Sequence, residues 1–232
     1  MTDPRTSVDV AAMRASDVAD LVRQERLIVI LRRVTPRARM LDLVTELAAA
    51  GARLFEITLD SPAAADDLEA CRVALPALGP GRCLVGAGTI RDLDQLAAAR
   101  DAGASFGVSP VLDRVVLESA LNDGLAFMPG AYTPTEVDLA WRSGATFVKL
   151  FPASSLGPSH IRELRGPLPE IETVATGGVD AANARSYLDA GAVAVGIGSA
   201  ILKASADERR TLVSAIRGTS MTAGSARKAQ EV

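Results

Sequence analysis

Short apolar runs alternate with amphipathic segments along nearly the whole chain. Each run is followed by a turn and then by an Ala- and Leu-rich stretch with helical spacing, which is typical of parallel βα units. The predicted strands are LIVIL (27–31), LFEITL (54–59), CLVGA (83–87), SFGVS (105–109), LAFMP (125–129), TFVKLF (146–151), IETVAT (171–176) and VAVGI (193–197). Eight such units predict a closed (β/α)8 barrel of the TIM type.

Helix signals fall between these strands. Thr35-Pro36, Ser61-Pro62 and Thr133-Pro134 predict helix starts that carry proline in the first turn. Glycines that precede the next strand predict helix ends, namely Gly51, Gly103, Gly124, Gly144 and Gly191. An open, doubly wound sheet is the alternative architecture, and it is disfavoured because no GxGxxG follows the first strand.

The two chain ends extend this plan. Residues 7–24 predict an extra amphipathic helix that closes the N-terminal face of the barrel. Residues 219–232 are small and polar and predict a flexible tail. We therefore expect a single domain over residues 1–218.

Composition narrows the class of protein. Of the 232 residues, 48% are hydrophobic and only 3% aromatic, so the core must consist of Ala, Val, Leu and Ile, as barrel interiors do. A net charge of −3 provides no basic field for nucleic acid or an anionic membrane. No apolar run approaches the roughly 20 residues of a membrane span, and the N-terminus lacks a signal-peptide core, which predicts a cytoplasmic protein.

The sequence contains few histidines and cysteines that could bind a metal ion. His160 is the only histidine, and Cys71 and Cys83 are the only cysteines, so neither a histidine cluster nor a thiolate cluster can form within one chain. We expect no metal and no cofactor.

The most informative position is Lys149, inside the apolar strand TFVKLF. The chain has three lysines against 22 arginines, so a lysine in a barrel strand does not fit the pattern of its surface cations. Desolvation lowers the pKa of a lysine, and a neutral amine can condense with a ketone, which arginine cannot do. Two alternatives remain: a buried ion pair with a core carboxylate, or a phosphate-binding cation.

An acid occupies the corresponding place in LFEITL. Strand alternation puts Glu56 and Thr58 on one face, and barrel geometry brings that face toward Lys149 across the lumen. Glu56 is the candidate acid and base, with a role as counter-ion of Lys149 as the simpler and compatible alternative.

Polar groups at other strand ends predict two anion sites. Thr176-Gly177-Gly178 and Gly198-Ser199 follow the last two strands, where barrels commonly bind phosphate through backbone N–H groups. Arg32 follows the first strand and Thr89 follows the third, which suits a substrate carboxylate; the neighbouring Arg33 is expected to face solvent.

These segments resemble the class I aldolases of the 2-keto-3-deoxy-6-phosphogluconate and 4-hydroxy-2-oxoglutarate type. The motifs ILR, EITL, GAGT, SP, TPTE, KLFPAS, TGGV and GIGSA occur in that family's order from 27 to 203. The resemblance implies an imine between Lys149 and pyruvate, with Glu56 as the acid and base. It also implies carboxylate binding by Arg32 and Thr89, a pyruvyl pocket shaped by Pro110 and Phe151, and a homotrimer without metal.

One departure leaves the substrate open. Many family members carry arginine where this chain has Asp60, in a stretch closer to the phosphogalactonate branch, whereas Thr176 and TPTE favour the phosphogluconate enzymes. The expected reaction is cleavage of 2-dehydro-3-deoxy-6-phosphogluconate to pyruvate and glyceraldehyde 3-phosphate. The phosphogalactonate epimer and 4-hydroxy-2-oxoglutarate are alternative substrates. A sugar-phosphate epimerase and a non-catalytic barrel that binds a phosphorylated acid are alternatives of other classes.

Overall fold

The computed structural model describes residues 14–76 and 82–217. Within these ranges, one sheet of nine parallel strands contains β1 Leu27–Leu31, β2 Leu54–Thr58, β3 Leu84–Gly88, β4 Phe106–Val108, β5 Ala126–Met128, β6 Gly130–Ala131, β7 Val148–Leu150, β8 Thr173–Thr176 and β9 Ala194–Ile197. The helices are α1 Ala15–Glu25, α2 Arg37–Ala49, α3 Ala64–Ala74, α4 Leu93–Asp101, α5 Arg114–Asn122, α6 Pro134–Arg142, α7 Ala153–Arg165, α8 Ala184–Asp189, α9 Ser199–Lys203 and α10 Ala206–Arg217.

The order of the strands shows that the sheet closes into a barrel. Neighbours follow the order β5-β4-β3-β2-β1-β9-β8-β7-β6, so the two ends of the ladder are β5 and β6. Only Pro129 separates these two strands along the chain. Pro129, the last residue of the fifth predicted strand, has no N–H to donate and separates β5, which pairs with β4, from β6, which pairs with β7 and lies just beyond the predicted strand. The predicted barrel is confirmed, and an open doubly wound sheet is excluded.

The local signals were right for most elements. All eight predicted strands occur, with ends that differ by at most two residues, and the five predicted helix-end glycines all have positive φ. Thr133 caps α6 as expected: its hydroxyl accepts from the Glu136 N–H and the Glu136 carboxylate accepts from the Thr133 N–H. The helix starts predicted at Thr35-Pro36 and Ser61-Pro62 were wrong in detail: Pro36 and Ala63 are the N-caps of α2 and α3, so neither proline lies in a first turn and neither Thr35 nor Ser61 is the capping residue.

Alternate residues of the strands fill the barrel. Side chains at the N-terminal ends of the strands form one interior cluster, which includes Ile28, Leu54, Leu84, Phe106, Phe147, Val174 and Ala194. The intervening residues pack outward into a second cluster with the helices. Two residues further along, the same inward faces carry Ile30, Glu56, Lys149 and Thr176.

Helix α1 covers the N-terminal face of the barrel. Val18, Leu21 and Val22 belong to the interior cluster and are buried against the lower ends of the strands. Glu25 at the end of this helix pairs with Arg217 of α10 at 2.7 Å. The predicted helix began at residue 7, and residues 7–13 lie outside the described ranges, as do the predicted domain end at 218 and the tail 219–232.

Inward-facing glycines make room for large neighbours. A Cβ on Gly86 would overlap three atoms of the buried Phe106 ring on β4. We expect Gly86→Ala to destabilise the protein by about 1–3 kcal/mol, because overpacking forces the ring or the backbone to move. Urea unfolding measures this change. Gly166→Ala is the matched control, since its Cβ would meet its nearest neighbour at 3.4 Å and should change the stability by less than about 1 kcal/mol. Equal stability of the two variants would contradict the tight packing described for the lumen.

Candidate active site

A cavity of about 370 Å³ opens at the C-terminal ends of the strands. This is the end at which barrel enzymes place their reactive groups. Its wall consists of Ile30, Arg32, Glu56, Lys149, Phe151, Thr176, Gly177, Gly178, Val179, Gly196, Gly198, Ser199 and Leu202. The cavity therefore combines an amine, a carboxyl group and a guanidinium group with a glycine-rich border.

Lys149 and Glu56 face each other across the lumen. They lie on β7 and β2, which are four positions apart around the ring and therefore on opposite sides of it. Lys149 is 4% exposed and Glu56 is 2% exposed, and Nζ lies 4.0 Å from Oε1. Among the described residues, Oε1 of Glu56 has no hydrogen-bond partner. The pair is close enough for charge interaction and is separated by more than a hydrogen bond.

The surroundings of Lys149 favour the neutral amine. Burial lowers the pKa of Lys149 and is the largest effect. The Glu56 carboxylate opposes this shift, while the positive charge of Arg32 adds to it, and the pKa remains below its ordinary value. Nζ also lies 5.3 Å from the centre of the Phe151 ring, which covers it with apolar surface. The amine is thus available for nucleophilic attack at a lower pH than a solvated lysine.

The space for the Glu56 carboxyl group comes from Gly88. A Cβ at that position would overlap Oε1, Cδ and Cγ of Glu56. Gly88 lies on β3 next to β2, with its backbone paired to Thr58. Glycine in the GAGT segment is therefore required by the acid on the neighbouring strand, a reason that spacing along the chain does not reveal.

Arg32 is held at the edge of the cavity by two neighbours. Its Nη2 donates to Oγ1 of Thr89 at 3.2 Å, and its Nη1 lies 3.1 Å from Oδ2 of Asp60. Arg33 is largely exposed, as expected, yet its Nε also lies 3.1 Å from Oδ2 of Asp60. Sequence reasoning noted Asp60 only as a departure from the family pattern and did not anticipate this pairing.

The glycine turns after β8 and β9 border the same cavity. Gly177 and Gly178 have φ of 92° and 74°, which favour glycine. A Cβ on Gly178 would overlap the Ser154 side chain, so the turn packs closely against the start of α7. With Gly198 and Ser199 next to them, these turns bring backbone N–H groups to one side of the cavity.

Most predicted site residues converge here. Three of them are not part of the cavity wall: Thr58 is buried and its hydroxyl donates to the Leu31 carbonyl at 3.4 Å, Thr89 contacts Arg32, and Pro110 packs its backbone against Gly130. Four residues of the wall were not among the predicted site residues: Ile30, Val179, Gly196 and Leu202. Val179 and Gly196 adjoin predicted glycine turns. Ile30 could have been found by alternation with Arg32, whereas Leu202 reaches the wall from α9 and no sequence signal indicated this.

The described ranges show neither a metal-binding cluster nor a membrane-spanning helix. Residues 14–76 and 82–217 contain no group of three or more His, Cys, Asp or Glu side chains placed to hold a metal ion. Across the same residues, every helix is too short or too polar to cross a bilayer.

Comparison with known proteins identifies the family. Residues 18–216 match a family model described as KDPG and KHG aldolase, the 2-keto-3-deoxy-6-phosphogluconate and 4-hydroxy-2-oxoglutarate enzymes. The chain is 38% identical over 178 residues to a probable 2-dehydro-3-deoxy-6-phosphogalactonate aldolase of Rhizobium meliloti, covering 76% of this chain and 82% of the relative. It is 34% identical over 176 residues to a 2-dehydro-3-deoxy-phosphogluconate aldolase of Pseudomonas aeruginosa, covering 75% and 77%.

A solved structure carries the same fold. The KDPG aldolase of Legionella pneumophila, captured with pyruvate as a covalent carbinolamine intermediate, superposes with a TM-score of 0.74 at 25% identity. The match covers 88% of this chain and 97% of that one. The chain therefore belongs to the KDPG and KHG aldolase family, a family of lyases, as its sequence motifs indicated.

Proposed function

We propose that this protein cleaves 2-dehydro-3-deoxy-6-phosphogluconate to pyruvate and glyceraldehyde 3-phosphate through an imine at Lys149. The observation that carries the proposal is the buried Lys149 amine, 4.0 Å from the buried Glu56 carboxyl group in a cavity edged by Arg32. Neither an epimerase nor a non-catalytic barrel requires a neutral amine at this point. The cytoplasmic location expected from the sequence stays a prediction.

The reaction begins with attack of neutral Nζ of Lys149 on the C2 carbonyl carbon. The resulting carbinolamine loses its hydroxyl as water when Glu56 supplies a proton, and an iminium remains. The Glu56 carboxylate, through a bridging water, then takes the proton of the C4 hydroxyl. The C3–C4 bond breaks, and the electron pair of that bond moves into the iminium, which becomes an enamine. Glyceraldehyde 3-phosphate leaves, a proton relayed by Glu56 returns to C3, and water hydrolyses the iminium to pyruvate and free lysine.

The distance between the two groups suits this sequence. At 4.0 Å, Oε1 of Glu56 is too far from Nζ for direct proton transfer. A carbinolamine hydroxyl or a water can occupy the space between them and receive or deliver the proton. Glu56 therefore acts on the oxygen and on C3 of the intermediate rather than on the lysine itself.

The ends of the cavity match the ends of the substrate. Arg32, supported by Thr89, offers charge-assisted hydrogen bonds to the carboxylate next to C2. Phe151 covers the pyruvyl part beside Lys149, and Pro110 supports the neighbouring loop. Thr176, Gly177, Gly178, Gly198 and Ser199 border the side at which we place the phosphate.

The C4 epimer, 2-dehydro-3-deoxy-6-phosphogalactonate, is a second candidate substrate. The Rhizobium relative and an Escherichia coli relative that is 34% identical over 186 residues both carry that name. Asp60 also lies in a stretch similar to that branch, whereas Thr176 in the cavity wall is typical of the phosphogluconate enzymes. The family description includes 4-hydroxy-2-oxoglutarate, a smaller substrate without phosphate.

A homotrimer is the proposed assembly. Large apolar side chains are exposed on three consecutive helices, α4 to α6, and in the loops between them: Leu93, Val111, Val115, Tyr132 and Leu139, at 40–62%. Exposed apolar side chains that adjoin one another mark contact sites. We place the subunit contact on this patch.

Lys149 can be tested by trapping. Borohydride added with pyruvate should reduce the imine and attach a pyruvyl group to Lys149, which mass spectrometry of peptides locates. Lys203 serves as an internal control because its side chain is exposed on α9, outside the cavity wall. Lys149→Met should lose about 10³-fold or more of the cleavage rate. An unmodified Lys149 peptide after reduction would exclude the nucleophile.

Epimer choice can be tested in one assay. Pyruvate release from the two C4-epimeric 6-phosphates, followed with lactate dehydrogenase, should give a higher kcat/KM for the gluconate compound. A preference for the galactonate compound would assign the enzyme to the second candidate. Release from neither, with a folded protein, would rule out both.

The trimer can be tested by light scattering. Val115→Asp places a charge at the centre of the exposed patch and should shift the protein toward monomers, since a buried unpaired charge disfavours association. Val73→Asp is the matched control, because Val73 is 76% exposed on α3 and lies outside the patch. A wild-type protein that scatters as a monomer at all concentrations would contradict the assembly.

A further inference from the structure

Three neighbouring strand ends are joined by one chain of polar contacts. Arg32 and Arg33 follow β1, Asp60 follows β2, and Thr89 follows β3. The Arg32 guanidinium donates to Thr89 and to Asp60. Nε of Arg33 lies 3.1 Å from Oδ2 of Asp60 and donates to the backbone carbonyl oxygen of Asp60 at 3.3 Å. Asp60 therefore sits between two guanidinium groups, of which only that of Arg32 lines the cavity.

Asp60 is ionised in spite of its burial. Its side chain is only 14% exposed, and burial alone would raise its pKa. The nearby Thr58 hydroxyl and the positive charges of Arg32 and Arg33 outweigh burial, so that the pKa of Asp60 lies below its usual value. At neutral pH the two arginines and one carboxylate retain a single positive charge, which equals the charge needed to bind one carboxylate.

The backbone around this chain of contacts is strained. Arg33 and Thr89 have φ of 51° and 64°, in the left-handed region that residues with a side chain rarely adopt. For the β-branched Thr89 this conformation is especially uncommon. Such conformations persist where surrounding contacts enforce them, and they concentrate at functional sites. Both strained residues contact Arg32 or Asp60, so the strain supports the placement of one guanidinium.

We propose that Asp60 is a positioning residue that holds the Arg32 guanidinium at the cavity edge so that it can bind the substrate carboxylate. Arginine has five N–H donors. Asp60 and Thr89 engage one each, on different nitrogens, and this fixes the plane of the group while further donors remain for a ligand. The assignment rests on the proposed function, since it presumes a 2-oxo acid at Lys149.

The distinguishing experiment compares a ketone that has the carboxylate with one that lacks it. Pyruvate and pyruvamide have the same shape near C2, but only pyruvate carries the charge that Arg32 would bind. For each compound, the concentration that gives half-maximal borohydride trapping of Lys149 is measured in wild type, Asp60→Ala and Asp60→Asn. Asp138→Asn is the control, because Asp138 pairs with Arg142 on α6, outside the cavity wall.

Asp60→Ala should raise the half-trapping concentration of pyruvate by about 10- to 100-fold, the value of a charge-assisted contact. The half-trapping concentration of pyruvamide should change by less than about 2-fold. Asp60→Asn, which keeps one hydrogen-bond acceptor without the charge, should fall between wild type and Asp60→Ala, and Asp138→Asn should match wild type. With the sugar acid substrate, the loss should appear in KM rather than in kcat.

Two outcomes would overturn the proposal. If Asp60→Ala weakens pyruvate and pyruvamide equally, the residue supports the fold of the site and has no specific link to the carboxylate. If neither half-trapping concentration changes, Arg32 keeps its position without Asp60.

A separate measurement tests the role of Asp60 without relying on an imine at Lys149. Ligand-observed NMR of pyruvate with Lys149→Met reports carboxylate binding without an imine, and adding Asp60→Ala to this variant should weaken that binding about 10-fold or more. If wild type shows no trapping at Lys149, the imine is wrong, while the NMR comparison still supports or refutes the role of Asp60.

Discussion

The desolvated amine of Lys149 is the constraint on which the rest of the site depends. An ammonium group in this position would lose its hydration and gain only one carboxylate at 4.0 Å in return, so burial lowers its pKa. The neighbouring features preserve that condition. Phe151 shields the amine with its ring, and Glu56 stands across the lumen rather than in direct contact. A closer ion pair would favour the ammonium form, which cannot condense with a ketone.

The barrel provides this environment through the spacing of its inward faces. Below the pair, Phe106, Phe147 and the apolar face of α1 fill the lumen. At the level of the pair, Gly88 leaves room for the Glu56 carboxyl group. In the same layer, Gly196 makes room for Thr176, since a Cβ there would lie 2.6 Å from the threonine hydroxyl. Large side chains and glycines on adjacent strands therefore determine together where the reactive groups can stand.

The charges at the mouth of the cavity come from one carboxylate and two guanidinium groups. Asp60 reduces two arginines to a single net positive charge, while Arg32 keeps its place in the wall. The positive charge of Arg32 also disfavours the ammonium form of Lys149. One guanidinium group thus connects the proposed carboxylate site with the protonation state of the nucleophile, and Asp60 influences both through it.

The sequence by itself determined the fold class and the residues that are capable of catalysis or ligand binding. Alternating apolar runs, helix-end glycines and one lysine in an apolar strand are local signals, because backbone conformation and side-chain direction follow from neighbours a few positions away. The barrel expected from the sequence already placed Glu56 opposite Lys149, 93 positions away, but only the tertiary structure decided the 4.0 Å separation between them. The overlap that requires glycine at 88 likewise arises only when β2 and β3 lie side by side. The pairing of Asp60 with Arg32 and Arg33 depends likewise on how the ends of β1 and β2 align, which pattern along one chain does not encode.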